Sequence, residues 1–185
     1  YVSSDGKRST EMIQREADGT ISRRSRRNAP APNAPLADGS VVYTQLDFTD
    51  PYRERSDLYR ERDGHATRLT HAARIDEIDA RADGEIVGVQ FTPATTTLVR
   101  VSADGSSVRA LTSTSPDTQW AEPRWSRAGD RIAATRWTRG GFTEIVVLDS
   151  AGRVLRSLVR DHASASQPEW AQGDSTIIYA SDRTG

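Results

Sequence analysis

Pro123-Arg124-Trp125-Ser126-Arg127-Ala128-Gly129-Asp130-Arg131-Ile132-Ala133-Ala134 decides the fold, because the chain repeats it. Pro168-Glu169-Trp170-Ala171-Gln172-Gly173-Asp174-Ser175-Thr176-Ile177-Ile178-Tyr179 is the same phrase one unit later. Ala34-Pro35-Leu36-Ala37-Asp38-Gly39-Ser40-Val41-Val42-Tyr43 and Ala80-Arg81-Ala82-Asp83-Gly84-Glu85-Ile86-Val87-Gly88 are earlier, weaker copies. Their glycines, Gly39, Gly84, Gly129 and Gly173, stand 45, 45 and 44 residues apart. A second series, Gly19, Gly64, Gly105 and Gly152, runs at 45, 41 and 47. Two interleaved series at one period mark a repeat protein.

Each unit reads as four strands. The first is short and carries Trp in two copies, Trp125 and Trp170. A glycine turn leads to an apolar second strand (Val41 to Tyr43, Ile86 to Val89, Ile132 to Ala134, Ile177 to Tyr179). The third is apolar too (Met12-Ile13, Leu58-Tyr59, Leu98 to Val101, Ile145 to Leu148). The fourth ends near Leu69-Thr70, Leu111-Thr112 or Leu158-Val159. Asp-Gly, the strongest short hairpin signal, recurs at 5–6, 18–19, 38–39, 63–64, 83–84 and 104–105; a type I′ turn, with positive φ at both central residues, is expected there. Four-stranded units of about 45 residues are the size of propeller blades. The dense glycine punctuation and the lack of a 3.6-residue apolar period exclude an α-solenoid. A single β-sandwich accommodates the strand spacing but not the recurrence of one motif. The expected fold class is therefore all-β: a β-propeller of four-stranded antiparallel blades.

The repeat divides the chain into a part-blade over 1–33, whole blades over 34–76, 77–119 and 120–166, and a part-blade over 167–185, all in one propeller domain. The chain opens at Tyr1, inside a strand and without an initiator Met, so it is expected to be a fragment forming an incomplete ring. Formal net charge is −1, which gives no bulk attraction to nucleic acid. No run reaches the roughly 18 apolar residues of a membrane helix, and membrane insertion is not expected. With no cysteine, disulfide and thiolate chemistry are excluded.

Glu122-Pro123-Arg124-Trp125-Ser126-Arg127-Ala128-Gly129-Asp130-Arg131-Ile132 resembles the Pro-x-Trp-Ser-Pro-Asp-Gly-x-x-Ile motif of TolB-type propeller repeats. Ser181-Asp182-Arg183-Thr184-Gly185 is similar to the Ser-Asp-Arg-x-Gly that follows the second strand there, and Leu69-Thr70 and Leu111-Thr112 resemble that family's blade-ending Leu-Thr. The family's Pro-Asp-Gly is replaced by Arg127-Ala128-Gly129 and Gln172-Gly173-Asp174, and its first-strand Trp is missing around Leu36 and Ala80. The Gly-His and Trp-Asp marks of WD repeats are absent. The resemblance implies a bacterial envelope (periplasmic) or secreted protein. TolB-type propellers serve as binding platforms, and they also sit beside hydrolase domains, as in prolyl-oligopeptidase-type enzymes, where the chemistry lies outside the propeller.

No catalytic, cofactor or metal residue is assigned. His65, His71 and His162 lack partners at zinc-helix spacing. There is no Gly-x-Ser-x-Gly elbow, no calcium loop and no converging carboxylate pair. Arg23, Arg24, Arg26 and Arg27 fall in an outer strand, where charge discourages edge pairing. Trp125 and Trp170 share a repeat position and are expected to pack between blades. Trp120 and Trp137 lie outside it and are expected to be exposed contact residues.

Antiparallel pairing puts the 1–2 and 3–4 turns at one end of each blade. The 2–3 loops and the blade connections lie at the other. The tight glycine turns crowd the first end and the variable segments the second, so binding is expected at the second. The segment Asp47–Asp57 there is an insertion of about 3 to 5 residues relative to later units. The expected binding face comprises Tyr52, Arg53, Arg55, Trp120, Glu122, Trp137 and Arg139, with a protein or peptide as partner and no cofactor. Two functions compete: a non-catalytic binding scaffold, and the propeller of a peptidase whose catalytic domain lies elsewhere.

Overall fold

The computed structural model describes residues 2–3, 10–27, 33–158 and 163–184. These contain seventeen β-strands and no α-helix. The first sheet orders β1 (Val2–Ser3), β2 (Thr10–Arg15) and β3 (Ile21–Arg27). Next come three four-stranded antiparallel meanders. One holds β4 (Asn33–Pro35), β5 (Val41–Asp50), β6 (Arg53–Arg62) and β7 (His65–Arg68). The next holds β8 (Ile75–Ala80), β9 (Ile86–Phe91), β10 (Thr96–Val101) and β11 (Val108–Ala110). The last holds β12 (Thr118–Trp125), β13 (Arg131–Thr138), β14 (Thr143–Asp149) and β15 (Val154–Ser157). A two-stranded sheet of β16 (Ala165–Trp170) and β17 (Ile177–Ser181) follows. Among the described residues no pairing joins β16 and β17 to the first sheet, so the ring is open.

The apolar cores lie in the seams between blades. Ala34, Leu36, Val42 and Leu58 of one blade meet Ile75, Ile78, Ile86, Val99 and Val101 of the next. Val87, Val89 and Leu98 meet Trp120, Trp125, Ile132, Ala134, Val146 and Leu148 at the following seam. Ile145 and Ala165 begin a third, with Ile177 and Tyr179 packed against them. Apolar residues on the second and third strands therefore bury their faces against a neighbouring blade, which is why one unit alone cannot form a core.

The first strands share an irregularity. Asp76 pairs with Val89 but Asp79 with Val87; Ala121 pairs with Thr135 but Arg124 with Ala133; Ser166 pairs with Ala180 but Glu169 with Ile178. Each is a bulge with one extra residue, and in each a non-glycine takes positive φ: Glu77 (48°), Glu122 (53°) and Gln167 (56°). β8, β12 and β16 begin at Ile75, Thr118 and Ala165, each two residues before the unit boundary drawn from the repeat.

The turns correct one expectation. Among the described Asp-Gly pairs only Asp63-Gly64 has positive φ at both residues, and Asp5-Gly6 lies outside the described residues. At Asp38-Gly39 the glycine alone is left-handed, its N–H bonding Leu36 O at 3.0 Å. Asp38 instead keeps ordinary φ and turns its Oδ1 back to accept the N–H (3.0 Å) and hydroxyl (2.6 Å) of Ser40. These hydrogen bonds, with Arg60 nearby, hold its carboxyl down at about 2. The short side chain that bonds its own backbone replaces the I′ geometry with a longer turn closed by a left-handed residue.

Gly105 and Gly152 have a second role. A Cβ at either would overlap the carbonyl oxygen of Leu69 or Leu111, the Leu of the preceding blade's Leu-Thr end. A Cβ at Gly39 meets nothing within 4 Å. Gly39→Ala is therefore expected to cost only the left-handed strain, about 1–2 kcal/mol. Gly105→Ala adds a clash between blades, about 1–3 kcal/mol more. Urea midpoints of the two variants test this; equal losses would show that the blades yield at this contact.

Candidate binding faces

The 2–3 end is built by hairpin turns. Asp47–Asp57 is not a loop: β5 and β6 continue as a ten-residue ladder, with Asp47 opposite Arg55 and Asp50 opposite Arg53, closed at Pro51-Tyr52. The insertion thus extends the hairpin beyond the six-residue β9 and β10 of the next blade. Opposite charges in register suit pairing, which is why a charge-rich segment became strand. Tyr52 at the tip is 93% exposed. Arg53 is exposed and Arg55 half-buried.

The same end of the later blades carries Phe91, 44% exposed at the end of β9, and Phe142, 49% exposed in the β13–β14 turn. Trp137 is half-buried at the end of β13. The Arg139 side chain is 80% exposed, 3.1 Å from Asp117; an exposed pair of this kind is worth little. Tyr52, Arg53 and Arg55 belong to one blade, and Trp137 and Arg139 to the blade two units on. They share an end of the molecule, with the β8–β11 sheet between them. Sequence reasoning missed Phe91 and Phe142, although both sit where second strands end.

Trp120 corrects the reading of the site. It is 5% exposed, within the seam core, with the Arg136 guanidinium 5.5 Å from its ring centroid. Neither it nor Glu122 lies in a blade connection; both are in β12. The bulge at Glu122, between Trp120 and Trp125, changes the parity of the strand. Residues 120 and 125, on opposite faces of a regular strand, both turn into the seam.

Glu122 faces the inner wall formed by the first strands. A cavity of about 470 Å³ there is lined by Glu77, Glu122, Arg124, Gln167 and Glu169. Sequence reasoning found no converging carboxylates, yet Glu77, Glu122 and Glu169 gather here, and the 45-residue spacing of Glu77 and Glu122 was the available signal for two of them. Each is engaged. Glu77 Oε2 accepts the Glu122 N–H (2.7 Å), Glu122 Oε2 accepts the Gln167 N–H (2.6 Å) and the Thr135 hydroxyl (2.7 Å), and Glu169 pairs with Arg124 at 2.7 Å. Asp79 Oδ2 accepts the Trp125 N–H at 2.7 Å. Burial raises the Glu77 and Asp79 carboxyls above the ordinary carboxylate range, against the N–H bonds that lower them. These acids join blade to blade rather than facing each other as an acid–base pair. Among the described residues no group of three His, Cys, Asp or Glu could hold a metal. His65 and His71 are exposed, and His162 lies outside the described residues.

The blades, seam cores and inner first strands define a β-propeller fold. The chain is similar to TolB from Acinetobacter baumannii (16% identity, TM-score 0.67, covering 89% of this chain and 42% of that one). It is similar to a TolB-type protein from Agrobacterium tumefaciens (22%, 0.59, 80% and 61%). It also resembles the propeller domain of the Trilobed protease from Pyrococcus furiosus, described as having an open velcro topology (12%, 0.71, 93% and 52%). The chain thus spans between 42% and 61% of these proteins' lengths. No protein-family model matches it, and no curated protein matches it by sequence. No helix among the described residues is long and apolar enough to cross a membrane.

Proposed function

We propose that this chain is a non-catalytic propeller segment of a bacterial envelope or secreted protein, and that it binds a protein or peptide through its 2–3 end. The observation that carries this is the series Tyr52, Phe91 and Phe142: one exposed aromatic ring at the same end of three consecutive blades. Aromatic and arginine side chains dominate the energetics of protein interfaces because they bury large areas at low entropic cost. Arg53, Arg55 and Arg139 bring guanidinium groups to this end, and these suit acidic partner groups. The envelope or secreted placement draws support from the TolB-type motifs alone. Photo-crosslinking residues placed in the full-length protein at 52, 91 and 142 should form adducts with its partner, while one at His65, on the 3–4 turn at the opposite end, should not. Equal yields from His65 would remove the 2–3 end as the binding face.

A second reading is favoured by the likeness to a protease's propeller domain. Here the segment would control substrate access to a peptidase domain elsewhere in the polypeptide. Hydrolysis of chromogenic peptides by the full-length protein would decide for it.

A further inference from the structure

The described residues include Asp-Gly pairs at 18–19, 38–39, 63–64, 83–84 and 104–105. The dipeptide has a chemistry of its own. A glycine N, unshielded by any Cβ, can attack the Cγ of the aspartyl residue before it and close a five-membered succinimide. The reaction needs a carboxyl group not held elsewhere, an amide nitrogen free of other bonds, and room for the ring. The repeat makes these turns comparable, and the fold sets one of them apart.

The other four are locked twice. The N–H groups of Gly19, Gly39, Gly84 and Gly105 donate to the carbonyl oxygens of Glu16, Leu36, Arg81 and Ser102, at distances between 2.8 and 3.0 Å. Asp18, Asp38, Asp83 and Asp104 each turn Oδ1 to the N–H two residues on, at 2.9, 3.0, 3.2 and 3.0 Å. The same oxygens also accept from the hydroxyls of Thr20, Ser40, Ser102 and Ser106 and from the Arg81 guanidinium. Hydrogen bonds of this kind favour the ionised carboxylate, whose oxygen is a poor leaving group. Those from Ser40 hold Asp38, and those from Ser102 and Ser106 hold Asp104, down at about 2. Gly105 is also pressed against Leu69 of the preceding blade.

Asp63-Gly64 carries none of these locks. It is a two-residue turn between β6 and β7, with φ of 51° and 82° and with Arg62 paired to His65. Among the described residues the Gly64 N–H has no backbone acceptor. The Asp63 side chain is 89% exposed, and its ion pair, with Arg62 Nε, is a loose one at 3.9 Å. A Cβ at Gly64 would meet nothing within 4 Å, so the ring has room. β7 is a four-residue outer strand, and short exposed edges open at little cost.

We propose that Asp63-Gly64 is a site of spontaneous modification, where the chain isomerises through a succinimide while its other described Asp-Gly turns do not. Gly64 N bonds to Asp63 Cγ, and the carboxyl OH leaves as water with the amide proton. Water then opens the ring. Addition at the main-chain carbonyl breaks that carbon's bond to N and leaves isoaspartate; addition at Cγ restores aspartate. Each passage releases one water and takes up one, and nothing is oxidised or reduced. Isoaspartate lengthens the two-residue turn by one methylene, so Arg62 and His65 lose the register in which they pair. β7 leads directly to Arg68 and Thr70, which hold the buried Asp57. A change at an exposed turn is thereby passed to the joint with the next blade.

The test is to age the full chain in weakly acidic buffer made with oxygen-18 water, then digest it and map the peptides by mass spectrometry. Each ring opening places one heavy oxygen in the peptide concerned, whichever product forms. The peptide holding Asp63 should gain label and isoaspartate at least about tenfold faster than those holding Asp18, Asp38, Asp83 or Asp104, which must first give up two hydrogen bonds. In guanidinium chloride, where no turn is locked, the five rates should converge. Asp63→Glu, which cannot close the five-membered ring, should take up no label at that site and leave the other four rates as they were. Equal labelling of the five turns in the folded chain, a ranking that persists after unfolding, or label at residue 63 in Asp63→Glu would each overturn the proposal.

Discussion

Trp125→Ala is expected to cost about 3–5 kcal/mol of unfolding free energy, the range for truncating a buried large aromatic. The indole is 6% exposed and fills the seam between two blades, against Val87, Val89, Leu98, Ile132 and Leu148. The Arg81 guanidinium lies 5.2 Å from its ring centroid, so truncation also strips a cation–π contact. The backbone on both sides is fixed by strand pairing, so the seam cannot collapse to fill the void. Trp170→Ala should cost less, because Trp170 is only half-buried. Replacement by Phe should reverse their relation: Trp125 Nε1 has no hydrogen-bond partner, whereas Trp170 Nε1 donates to Arg124 O. Trp125→Phe therefore loses packing only, and Trp170→Phe loses a hydrogen bond besides. Denaturant titration of the four variants reads these differences. A loss below about 1 kcal/mol in Trp125→Ala would mean that the seam repacks.

Asp57→Ala is expected to cost a similar amount, for a different reason. The side chain is fully buried, and its two oxygens accept four hydrogen bonds. Oδ1 takes the Thr70 hydroxyl (2.7 Å) and the Ala73 N–H (3.0 Å); Oδ2 takes Arg68 Nη2 (2.7 Å) and the Ala72 N–H (2.7 Å). These donors belong to β7 and to the connection into β8, where Ala72 and Arg74 both take positive φ. One carboxylate thus holds the outgoing chain in a bend that it would not otherwise adopt. Removing one partner of a buried ion pair costs about 3–5 kcal/mol. Arg68 is partly exposed and keeps Asp47 at 3.7 Å, so most of the loss comes from the orphaned backbone donors. Hydrogen exchange at Ala72 and Ala73 should accelerate together with the fall in stability. Unchanged protection there would show that water takes over the carboxylate's role.

The repeat, the four-strand unit and the glycine turns of the two 45-residue series were legible because each turn rests on short-range chemistry: a left-handed residue between two apolar runs. The seam position of Trp125 was legible from its recurrence at Trp170. Trp120 was not, because the argument from alternation fails across a bulge, and nothing in Ala121-Glu122-Pro123 announces the extra residue. The Asp47–Asp57 segment was misread for a related reason. Its charges look like a loop, but they fall opposite one another across the ladder, and pairing depends on a register that composition does not reveal. The carboxylates of the inner wall act over 45 residues, a distance at which only the repeat alignment could have connected them.

The bulge residues have a bearing on how such a chain can grow. Glu77 reaches forward to the backbone of residue 122, and Glu122 reaches forward to that of residue 167. The units holding Glu77 and Glu122 so present an acceptor to their successors, and those holding Glu122 and Gln167 a main-chain donor to their predecessors. The donor is backbone and survives any substitution except proline. A tandem copying event that inserts a whole 45-residue module therefore brings its own coupling at both ends, with no compensating change in the neighbours. Stability in linear arrays is set by nearest-neighbour terms, so the new module would be held as firmly as the old ones from its first generation. Sequence drift elsewhere in the module, such as Pro35 and Ala80 at the position of Trp125 and Trp170, is then free to sculpt individual units while the joints stay closed.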